Sequence, residues 1–194
     1  MPSDLAEPWR SFLAELDALV THDVRLHCCG GFVVTTRYAM ARTTADLDVL
    51  SILPRSDQRI LAAAAGRGSA LHTTHGVYLD VVTVATYPDS YEDRLTEMHP
   101  GLFHNIRLLT LDPHDLVLTK LTRNADRDRG DVEYLATAVP LDVSVLRDRY
   151  HREMRASMGV PEREDLTLDL WIEIITEAQQ ARRPLRRRRS GNVV

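Results

Sequence analysis

Two aspartates, two positions apart inside the run DLDVLSI at residues 46 to 52, restrict the fold more than any other feature of the chain. Residues i and i+2 of a strand share a side, so Asp46 and Asp48 project together while Leu47 and Val49 face the other way, into a core. Like charges this close repel each other and resist burial, and each is driven toward protonation unless a cation lies between them. Magnesium suits such a place, because it takes oxygen ligands and is commonly held by one or two carboxylates together with substrate phosphates. A strand at the rim of a sheet, with both carboxylates in water, satisfies the same pattern.

The rest of the pattern supplies that strand with a setting. Trp9, Phe12, Leu13, Leu16, Leu19 and Val20 recur at helical spacing and predict an amphipathic helix over 4–20. VRLHCC reads as a short strand stopping at Gly30 and Gly31, FVVTTRYAMA as a helix, and DQRILAAAAG as a helix closed by Gly66. VYLDVVTV, residues 77 to 84, and IRLLTL are strands rich in β-branched and aliphatic residues. HTTH at 72 to 75 reads as strand or loop with both histidines solvated. Asp112 as N-cap and Pro113 at the first helical position start the next helix. RGDVEYLATAV is another, followed by helices near 143–157 and 165–182, the last presenting Leu168, Trp171, Ile172 and Ile175 to a core. The expected fold is therefore α/β of the α+β kind, a small mixed sheet over 1–112 followed by a helical half over 113–181.

With 194 residues and 44% hydrophobic content the chain can bury a real core. It has no apolar run of membrane-spanning length. The acidic first residues do not resemble a secretory leader, and the adjacent Cys28 and Cys29 offer no disulfide framework, so a cytoplasmic location is expected. Charge is uneven: the total is −4, but residues 182–194 hold six arginines and no acid, which leaves the first 181 residues at −10. That tail reads as a disordered end or as a contact for nucleic-acid phosphates. Of the 24 basic residues the only lysine is Lys120.

A strand ending in Gly-Gly before a helix lets backbone approach a ligand closely, so Gly30 and Gly31 are placed to hold phosphates across from a metal on Asp46 and Asp48. Strand, Gly-Gly, helix, Arg/Thr segment and Asp-x-Asp strand in this order resemble the nucleotidyltransferase superfamily. CCGGFVVTTRYAMARTTADLDVL is most similar to the AbiEii and MenT groups of toxin nucleotidyltransferases, and LVLTKLTRNADRDRGDVEYL resembles their downstream motif, with Lys120, Arg123, Asp128 and Asp131 in order.

The resemblance implies a magnesium-dependent transfer of a nucleoside monophosphate from an NTP to an acceptor hydroxyl, with pyrophosphate released. It implies two magnesium ions on Asp46 and Asp48, with Asp80 as a third carboxylate on a neighbouring strand; a buried acid paired to Arg37 or Arg42 is the other reading of Asp80. Gly30, Gly31, Arg37, Thr44, Lys120 and Arg123 would contact the nucleotide phosphates, a compact lysine fitting where a guanidinium does not. Asp131 would orient Lys120 or Arg123, act as general base, or simply face solvent. Many superfamily members carry Ser after the first Gly; here Gly31 stands instead, so a hydroxyl for the phosphate has to come from Thr35 or Thr44. The implied acceptor is the 3′ end of a transfer RNA, and the implied role is the toxin of a toxin–antitoxin pair with a cognate antitoxin protein. A small-molecule or protein hydroxyl as acceptor, and a non-catalytic nucleotide-binding or partner-binding module, are the alternatives.

Overall fold

The computed structural model describes residues 5–83 and 85–182. Strand β1 (Val24–Cys28) lies at the centre of a five-stranded mixed sheet, antiparallel to β2 (Asp46–Leu53) and parallel to β5 (Ile106–Thr110). β3 (Tyr78–Val81) runs parallel to β2 at one edge, and β4 (Thr96–Met98) antiparallel to β5 at the other. Val24, Leu26 and Cys28 of β1 and Leu47, Val49 and Ile52 of β2 are fully buried, so alternation sends the intervening side chains to the opposite face. Between His27 and Cys28 the register slips: His27 faces Ser51 and Cys28 faces Val49, leaving Leu50 as a bulge.

The covered face meets Trp9, Phe12, Leu13 and Leu16 of α1 (Trp9–Ala18) and Phe32 and Val33 of α2 (Gly30–Thr36) in one core, with Trp9 edge-on to Phe32 at 4.8 Å. α3 (Gln58–Ala65) packs on β3, and α4 (Ala70–His75) packs on α1 and α3. The helical half follows: α5 (Pro113–Leu118), α6 (Asp126–Ala138), α7 (Val143–Arg149) and α8 (Pro161–Arg182). Asp112 caps α5 as expected, its carboxylate accepting from the His114 amide at 3.0 Å. α6 lies against α8 and α2, and Leu168, Trp171, Ile172 and Ile175 of α8 are buried. No described helix is long and apolar enough to cross a membrane.

Several expectations change. The first helix stops at Ala18 and leaves Leu19 exposed. α2 starts at Gly30 itself and ends at Thr36. The chain then turns through Ala39 at φ 60°, while the Tyr38 carbonyl accepts from the Tyr134 hydroxyl of α6 at 2.7 Å. HTTH is the body of α4, capped by Ser69 and ended by Gly76 in the left-handed region. His72 accepts from the Gly68 amide, and His75 lies 3.1 Å from Glu15. The helix near 143–157 breaks after Arg149 into a π-turn and a 3₁₀ turn. The arginine tail from 183 onward lies outside the described residues.

Candidate active site

β2 delivers its carboxylates to the open face, and the Gly-Gly turn after β1 is built around one of them. The Cys29 amide donates to the Asp48 carbonyl at 2.9 Å, tying the end of β1 to the start of β2. Gly30 has φ +66°, and a Cβ there would stand 1.8 Å from Asp48 Oδ2. Glycine is required twice over, for the backbone conformation and for the space the carboxylate occupies. Burial pushes the Asp48 carboxyl up to about 6, with Asp46 and Asp80 adding repulsion and Lys120 and Arg123 opposing it. Asp46 accepts a short hydrogen bond from the Thr44 hydroxyl.

The parallel register sets Asp80 directly across from Asp48. Asp80 is exposed, so the other reading of it, a buried acid held by Arg37 or Arg42, does not hold. Among the described residues no three His, Cys, Asp or Glu side chains gather into a group that could hold a metal ion, Asp80 with Asp46 and Asp48 included. Asp46 and Asp48 are the two carboxylates that would hold a cation which completes its shell with water and phosphate oxygens, as magnesium does.

A cleft of about 390 Å³ opens beside Asp48, lined also by Cys29, Gly30, Thr86, Lys120 and Arg123. Burial and the neighbouring Asp48 push the Cys29 thiol well up, so it stays protonated. Lys120 is 3% exposed and donates to Asp131 at 2.7 Å, with Asp128 at 3.6 Å. Arg123 forks onto Asp128 with bonds of 2.8 and 2.5 Å. Burial opposes ionisation of Asp128, but Arg123 and Lys120 outweigh it and hold the carboxyl below its ordinary range. Asp131 is 1% exposed and takes a second cation, Arg42, at 2.9 Å. Its geometry is that of an anchor orienting Lys120 and Arg42.

Sequence reasoning missed Arg42 in this role, because its partner lies 89 positions away; the signal was an arginine just ahead of the Asp-x-Asp strand. Arg37 caps the far end of α2, about 10 Å of helix from Gly30, and lines no part of the cleft. Thr35 turns its hydroxyl back to the Gly31 and Phe32 carbonyls, whereas Thr44 lies at the turn, 3.0 Å from where a Gly31 Cβ would be.

A mixed sheet with a Gly-Gly turn wrapped around an Asp-x-Asp carboxylate, and a helical half supplying cations to the same cleft, defines a nucleotidyltransferase-like protein. The family model described as "Nucleotidyltransferase of unknown function (DUF6036)" matches residues 10–179, and the chain belongs to that family. No curated protein and no solved structure matches the chain.

Proposed function

We propose that the protein transfers a nucleoside monophosphate from an NTP to an acceptor hydroxyl, with magnesium held by Asp46 and Asp48. The observation that carries the reading is the seat of Asp48 against the bare Cα of Gly30, which brings a metal-type carboxylate and a turn open to phosphate within touching distance. Magnesium, when bound, supplies neutralising charge for the triphosphate. The acceptor oxygen bonds to the α-phosphorus, the bond from that phosphorus to the bridging oxygen breaks, and pyrophosphate leaves with the electron pair. Asp80, exposed and across from Asp48, takes the hydroxyl proton and releases it to solvent. Lys120 and Arg123 face the same cleft and offset the charge of the phosphates.

Resemblance of the two motifs to the AbiEii and MenT groups favours an RNA 3′ end, that of a transfer RNA, as acceptor, and a toxin role opposed by an antitoxin protein. Incubation with magnesium, each labelled NTP in turn and total RNA tests this. Label in RNA is the expected result. Label in protein or small molecules would move the acceptor, and no label with any NTP would leave a binding module.

A further inference from the structure

Between α5 and α6 the chain reverses over residues 119–125, and this turn carries two cations of the cleft, Lys120 and Arg123. It closes at Asn124, whose amide donates to the Lys120 carbonyl at 3.0 Å and whose φ is +44°. A left-handed residue that bonds back to a carbonyl four positions earlier is a common stop for a helical turn, and glycine is its usual occupant. Asparagine tolerates the same conformation, and here its side chain has a use that glycine lacks. Asn124 Oδ1 accepts from Trp171 Nε1 of α8 at 3.1 Å and from Arg129 Nε of α6 at 3.2 Å. Trp171 is 1% exposed, and a buried indole N–H needs an acceptor, so the tie is drawn from both sides. The next residue extends it: the Ala125 amide donates to Asp128 Oδ2 at 3.1 Å, and the same oxygen takes Arg123 Nε at 2.8 Å. Where Asn124 is held therefore decides where Arg123 starts and where its carboxylate partner stands.

We infer that Asn124 is a positioning residue for the donor side of the cleft: with Trp171 behind it, it fixes the turn that aims Arg123 and Lys120 at the NTP. This rests on the nucleotidyl-transfer reading, and it gives a part in the site to α8, which lends no described residue to the cleft lining. Asp131 and Asp128 hold the charged ends of the two cations, whereas Asn124 holds the backbone from which they extend. Arg123 is the more dependent of the two. Its side chain is 66% exposed, so little packing keeps it in place, while Lys120 is fixed by burial.

Calorimetric titration of the full chain with each NTP and magnesium, together with steady-state transfer to total RNA, tests the assignment. Asn124→Gly keeps the left-handed turn and removes the side chain, so it should melt within a few degrees of wild type. Its NTP affinity should fall and its KM for NTP rise, each about tenfold, with the KM for RNA unchanged. Asn124→Asp keeps an acceptor oxygen for Trp171 and Arg129 and should recover most of the loss. Trp171→Phe removes the indole donor, and combining it with Asn124→Gly should weaken NTP binding no further than the poorer single variant, since the two act through one bond. Wild-type NTP affinity and KM in Asn124→Gly overturn the positioning role and leave the transfer reading standing. A loss that only follows a lower melting temperature, or a KM for RNA that rises as much as that for NTP, assigns Asn124 to stability or to the acceptor and overturns it as well. Wild-type protein that binds no NTP and labels no RNA removes the transfer reading and the inference with it.

Discussion

Asp48 is the residue on which structure and chemistry pull hardest against each other. A half-buried carboxylate facing Asp46 and Asp80 stabilises nothing by itself, and its raised titration range records that opposition. Replacing Asp48 with Asn keeps the shape and removes the charge. The metal-free variant is therefore expected to melt above wild type at pH 7.5 and to gain less than wild type from added magnesium, while nucleotide transfer is lost. Differential scanning fluorimetry with and without magnesium reads both; equal magnesium shifts in the two proteins would remove Asp48 from the metal site. Lys120 was legible in sequence as the single lysine, but its burial was not. Because Asp131 is equally buried, Lys120→Ala strands part of a carboxylate's compensation and should cost about 3 kcal/mol, more than a solvated helix residue would. The double variant Lys120→Ala with Asp131→Asn should recover part of that loss. Urea denaturation of the two single variants and the double measures the coupling, and simple additivity would show that the pair does not act as one unit.

At the scale of elements, strands and helices with strong periodicity were readable, and boundaries set by distant partners were not. β1, β2, β5 and the capped start of α5 follow from alternation and from Asp112-Pro113 alone. β4 spans three residues at a sheet edge, too short to carry a pattern. α4 did carry signals, Ser69 before it and Gly76 after it, which its Thr and His content masked. α2 ends at Thr36, and the chain beyond it is tied to Tyr134, almost a hundred positions away, through the Tyr38 carbonyl. The Gly-Gly turn is the element whose sequence reading carried furthest, and it separates conformational strain from steric displacement. Gly30→Ala meets both a left-handed backbone and the Asp48 carboxylate, whereas Gly76→Ala meets the left-handed backbone in open space. Each should lose about 1 to 2 kcal/mol from the backbone term, and only Gly30→Ala should also lose transfer and the response to magnesium. Chemical denaturation paired with a transfer assay distinguishes them, and an active Gly30→Ala protein would mean that β2 tolerates displacement of Asp48.

Across the whole molecule, the sheet and the helical half are tied by charges that no sequence window could have brought together. Arg94, just ahead of β4, forks onto the fully buried Asp115 of α5 at 2.8 and 3.2 Å and reaches Glu153 in the π-turn at 2.8 Å. Arg149 of α7 joins Asp112 at 2.6 Å and Asp115 at 2.8 Å. Burial disfavours the charged form of Asp112, yet its bonds to His114 and Arg149 prevail and hold its carboxyl well below the usual range, while Arg94 likewise prevails over burial at Glu153. A depressed folded value means that the stabilisation is present above the unfolded carboxylate range, near pH 4, and is lost as pH falls below it. Acid should therefore weaken the junction between the halves. Asp112→Asn should flatten the fall in stability between pH 4 and pH 2, and Asp115→Ala, which leaves two arginines facing an empty buried place, should cost about 3 to 5 kcal/mol at pH 7. Trp9 and Trp171 report the two halves separately, one on α1 and the other on α8. With Trp9→Phe and Trp171→Phe as single-tryptophan backgrounds, urea transitions followed by fluorescence should coincide at pH 7, because the network makes the halves one cooperative unit. In the Asp115→Ala background the two midpoints should separate, and midpoints that still coincide there would show that apolar packing alone joins the sheet to the helices.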